Sequence, residues 1–134
     1  MADRVSSAET ELLIDGLTDD VALVWVLIHL GLRGNPPDTS GPPTSEVVRD
    51  AFVHLERMSD AGLIRVGRME YLDGGPPGRV SPVRHVVEPI REVRDRVQQF
   101  CESGSDWEWS CWVVNTEAGN EFARRALADE SETR

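Results

Sequence analysis

The sequence predicts a single α+β domain, mostly helical, in which a small antiparallel β element interrupts a helical bundle. Three observations carry this expectation. Apolar residues recur at three- and four-residue spacing in five stretches, most of them opened by a residue able to cap a helix. Two β-type runs flank a Gly- and Pro-rich turn at 73–78, and a tryptophan-rich run follows later. A chain of 134 residues with 40% apolar content can bury one core without disulfides or metals.

Each element has its own warrant. Ser6-x-x-Glu9 is a capping box, and Ala8, Leu12, Leu13 and Leu17 follow at helical spacing up to a stop near Gly16. Thr18 is expected to cap a second helix, with Asp19 and Asp20 in its first turn, where the helix dipole favours negative charge. Val21, Val24, Trp25, Leu27, Ile28 and Leu32 make that segment apolar on nearly every side, which reads as a buried central helix. Residues 34–43, GNPPDTSGPP, hold four prolines and must form an extended loop.

Thr44 or Ser45 caps a third helix to about Ala61, with Val47, Val48, Ala51, Phe52, Leu55 and Met58 as its core stripe. Gly62 followed by Leu63 fits a left-handed C-cap. Strands are expected over 64–72 and 80–87, and a helix from Pro89 with Ile90, Val93, Val97 and Phe100 inward. On its outer side Arg91 with Asp95 and Glu92 with Arg96 have i,i+4 spacing. A strand over 107–115 then leads to a last helix, capped by Thr116, with Ala118, Phe122, Ala123, Ala126 and Leu127 in one stripe. From Asp129 onward an acidic, frayed tail is expected.

Composition excludes several classes of function. The net charge of −10 argues against general attraction to nucleic acid or an anionic membrane. The charge is uneven: residues 1–60 carry −7, residues 61–100 carry +2 and residues 101–134 carry −5. Every basic residue is arginine. The longest apolar run, 21–32, is too short to span a bilayer and is broken by His29 and Gly31. The polar start gives no sign of a signal peptide, and two cysteines make no disulfide framework, so a cytoplasmic location with free thiols is expected.

Three stretches together resemble winged-helix regulators of the MarR and PadR type. They are Leu17-Thr18-Asp19-Asp20 leading into an apolar helix, the run from Ala51 through Gly62 to Arg65, and Val114-Asn115-Thr116-Glu117-Ala118-Gly119. The resemblance touches about half the chain and implies a winged-helix-like bundle with a small antiparallel β wing. There, helix 44–61 would be the recognition helix, and the terminal helices 6–17 and 116–128 would serve dimerisation. Two departures stand out. The position of the short helix that seats such a motif on DNA is taken by loop 34–43, and residues 73–106 form an insertion in the wing.

Candidate sites follow from these readings. DNA contact would fall to Ser45, Arg49, His54 and Arg57 on the helix and to Arg65 and Arg68 on the wing, with Arg79 and Arg84 as further phosphate contacts. Asp50, Glu56 and Asp60 share that helix surface and oppose phosphate binding. Trp107, Trp109 and Trp112 could line a ligand or interaction surface, with the first two on one strand face and the third on the other, although a strand between helices would bury the same residues for packing alone. Cys101, Cys111, His29, His54 and His85 lack the close spacing of a metal site, so neither metal nor cofactor is expected. No phosphate loop, nucleophile elbow or zinc-protease motif is present, so no enzymatic activity is expected. The leading expectation is a regulatory or protein-interaction module engaging a basic protein surface or a second copy of itself. DNA binding is the alternative, and a small-molecule sensor with a tryptophan-lined pocket the third.

Overall fold

A computed structural model describes residues 5–34, 41–71, 82–104 and 106–132. The turn 73–78, Arg79 and most of loop 34–43 lie outside the described residues. Among those described, five α-helices and a small four-stranded antiparallel sheet form an α+β fold that is mostly helical. The helices are α1 (Ser7–Asp15), α2 (Leu23–His29), α3 (Ser45–Asp60), α4 (Ile90–Ser103) and α5 (Glu117–Glu132). The strands are β1 (Val21–Ala22), β2 (Ile64–Tyr71), β3 (Pro82–Val87) and β4 (Trp112–Asn115), in the sheet order β1-β4-β2-β3. None of the described helices is long and apolar enough to cross a membrane.

The expected capping chemistry sets most helix ends. Ser6 and Glu9 complete the capping box of α1, Thr44 accepts from the Val47 amide at the start of α3, and Thr116 accepts from Gly119 at the start of α5. Gly62 adopts φ +76°, and the amides of Gly62 and Leu63 return to the carbonyls of Ser59 and Met58. That pair of bonds satisfies the end of α3 as glycine alone readily allows.

Three expectations are corrected. The helix drawn from Thr18 to Leu32 is divided: β-branched Val21 and its neighbour Ala22 pair with β4, and only Leu23–His29 is helical. Thr18 caps nothing there, because its hydroxyl donates to the Asp15 carbonyl at the end of α1. The strand drawn over 107–115 begins only at Trp112, since Trp107–Trp109 form a 3₁₀ turn opened by Asp106 at φ 58°. The acidic tail also continues as helix to Glu132, in keeping with its Ala, Glu and Arg content.

One core joins all the layers. Val21, Val113 and Val66 lie directly opposite one another across β1, β4 and β2, and all three are buried. Leu12 and Leu13 of α1, Leu23, Val26 and Leu27 of α2, the α3 stripe and Val93 and Val97 of α4 belong to the same cluster. The next row across the sheet, Ala22, Trp112, Gly67 and Val87, turns its side chains to the other face. Gly67 is obligatory by space: a Cβ there would lie 1.9 Å from the Val86 carbonyl oxygen. On α4, Arg96 reaches Glu88 and the Ser110 carbonyl, away from Glu92.

Candidate functional site

The outer sheet row and the far side of α2 enclose an open cavity of about 630 Å³. Its aromatic part comes from two elements. In α2, Leu23, Val26 and Leu27 are buried, which leaves Trp25 and His29, one turn apart, on the opposite side. Trp25 is 53% exposed and lines the cavity. The 3₁₀ turn buries Trp107 and sends Trp109 outward, where it stacks on Trp112 with ring centroids 5.9 Å apart and planes at 26°. The small residues Ala22 and Gly67 on either side of Trp112 give its indole room on the sheet.

The polar part is acidic. Asp15, Asp19 and Asp20, from the end of α1 and the turn after it, line the same cavity. The Asp15 carboxylate lies 3.0 Å from His29 Nε2. Asp19 and Asp20 are exposed and make no ion pair among the described residues. A cavity with indole faces and unpaired carboxylates attracts an organic cation, since both the ring quadrupoles and the carboxylates favour positive charge.

Four of the described residues expected to contact DNA have carboxylate partners within the chain. His54 Nδ1 and Arg57 Nη2 both turn to the Glu9 carboxylate, at 2.7 and 2.5 Å, and Glu9 is only 1% exposed. Burial alone would raise the Glu9 pKa, but the Ser6 amide, His54 and Arg57 outweigh it and hold the carboxyl below its ordinary value. Arg68 lies between Glu70 and Glu88, at 3.6 Å from each. Arg84 pairs with Glu70, whose carboxyl it holds below the ordinary value. Arg49 and Arg65 are exposed without an ion pair among the described residues, and the Ser45 carbonyl accepts from Gln98 of α4 at 3.4 Å.

The cysteines and histidines considered for a metal are likewise dispersed in role. His85 Nε2 donates to the Trp112 carbonyl at 3.1 Å, and His29 and His54 have carboxylate partners. Burial pushes the Cys101 thiol up to about 11 and that of Cys111 to about 12, so neither is a reactive thiolate near neutral pH. No group of three or more His, Cys, Asp or Glu among the described residues is arranged to hold a metal ion.

Of the three tryptophans singled out in the sequence, the structure brings Trp109 and Trp112 together and places Trp107 in the core, beneath the Arg33 guanidinium at 5.6 Å from its ring centroid. Sequence reasoning missed Trp25, Asp15, Asp19 and Asp20 as site residues and His29 as their neighbour. The signal that could have found them was the i,i+4 spacing of Trp25 and His29, masked by apolar residues on nearly every side of that segment. No family model, no curated protein and no solved structure matches the chain.

Proposed function

We propose that the chain is a non-enzymatic interaction module on a winged-helix-like plan, and that it engages a protein partner and not DNA. One observation carries this reading: three of the five described arginines that would meet phosphates are held by carboxylates of the same chain. Arg57, Arg68 and Arg84 are each paired with glutamates. The exposed surface of α3 adds Glu46, Asp50, Glu56 and Asp60 to Arg49 and Arg57, an excess of negative charge. Because phosphate neutralisation supplies most of the affinity of DNA-binding proteins, such a helix has little to offer a duplex. Gln98 also places α4 beside the first turn of α3, the part a recognition helix presents to base edges.

DNA binding remains the second reading because Arg49 and Arg65 are exposed and without an ion pair among the described residues. Fluorescence anisotropy with promoter DNA from the gene's own neighbourhood, beside random-sequence DNA, separates the two readings. The expected result is no saturable binding at low or physiological salt. Binding to the promoter DNA above the random control at physiological salt would overturn the proposal, and charge reversal at Arg49 and Arg65 would then be the next measurement.

A further inference from the structure

We propose that the cavity between α2 and the sheet edge receives an arginine side chain from a basic segment of the partner protein. The inference rests on the interaction-module reading and names where, and by what chemistry, the partner docks. Three features select the occupant. Trp25 leaves more than half its surface in water and lines the cavity together with the stacked pair Trp109–Trp112, so a flat group entering it meets indole rings. A guanidinium is planar, weakly hydrated and attracted to such faces, more so than a compact ammonium. Asp19 and Asp20 supply the counter-charge, because Asp15 already has His29 as its neighbour.

The size of the cavity, about 630 Å³, favours a cation carried on a peptide over a free small one. β1 is the outermost strand, hydrogen-bonded on one side to β4, and Val21 and Ala22 line the cavity. A net charge of −10 steers such a segment toward the protein from a distance.

Intrinsic tryptophan fluorescence of the full chain provides the test. The titrants are a short peptide with two arginines in a Gly/Ser background, the same peptide with citrulline at both positions, and arginine methyl ester. Citrulline keeps the shape and removes the charge. The arginine peptide is expected to give a saturable change, with citrulline and the methyl ester each at least about tenfold weaker. Trp25→Ala and the double variant Asp19→Asn/Asp20→Asn should each weaken the peptide about tenfold or more, and the aspartate variant should leave the thermal midpoint unchanged, since both aspartates are exposed. Equal binding of the citrulline peptide, or unaltered affinity in both variants, would overturn the proposal. A methyl ester that binds as tightly as the peptide would also overturn it, in favour of a small-cation site. None of these outcomes bears on the DNA titration, so this inference can fail while the interaction-module reading stands.

Discussion

At the scale of single residues, Glu9 has the most to explain. It closes the α1 capping box, and its buried carboxylate also takes His54 and Arg57 from α3, 45 and 48 residues away. Glu9→Gln keeps the shape but removes the charge that three donors share, and should cost about 2 kcal/mol at pH 7, discounted for the partial exposure of Arg57. The pH dependence has a definite sign. The folded pKa lies below the ordinary 4.5, so the unfolded chain takes up the proton first on acidification. The contribution is complete above 4.5 and is lost as pH falls through the folded value. Urea denaturation between pH 7 and pH 3 should show the wild type losing this increment and Glu9→Gln showing a smaller loss; parallel curves for the two proteins would refute the assignment. The same residue shows a limit of local reading. The capping box is visible in four consecutive residues, whereas its partners on α3 depend on how two helices cross.

At the scale of elements, Gly62 and Gly67 are required for different reasons and should respond differently to alanine. Gly62 has φ +76° with open space within 4 Å of where a methyl would stand, so Gly62→Ala costs only the backbone strain, about 1 kcal/mol. Gly67→Ala drives a Cβ to 1.9 Å from the Val86 carbonyl, must separate β2 from β3, and should cost about 3 kcal/mol or more by thermal or chemical denaturation. Similar losses for the two would contradict the described β2–β3 register. Elements with local signals were legible in the sequence: the α3 stripe, its Gly62 stop, and the starts of α1 and α5 all lie where the pattern puts them. What escaped was set by distant partners. Val21 and Ala22 look helical among their neighbours and become strand only because Trp112 and Val113 are there to pair with them. Trp109 alternates correctly for a strand, yet the turn at Asp106 winds it into a 3₁₀ segment. The cavity was invisible for the same reason, since its walls come from segments that meet only after those two departures.

At the scale of the whole molecule, the terminal helices bear on self-association. The resemblance implies dimerisation through them, yet α1 and α5 pack on each other within one chain, with Leu12, Leu13 and Ala123 all buried. Leu127 is the large apolar side chain that α5 leaves exposed among its described residues, and one leucine provides little of the area a stable dimer needs. Sedimentation equilibrium is therefore expected to give a monomer at micromolar concentration. A dimer that dissociates on Leu127→Glu would instead restore the terminal helices as an interface and make a second copy the partner.

The sheet order also dictates when the molecule can become itself during synthesis. Among the described strands β4 is the last made and the one seated between β1 and β2. As the chain leaves the ribosome, β2 and β3 can pair early, but β1 has no neighbour until Trp112 and Val113 have emerged. The Leu23 amide waits equally long for the Cys111 carbonyl. The row Val21–Val113–Val66 thus closes only after β4 has emerged, like a keystone set after both sides of the arch are standing.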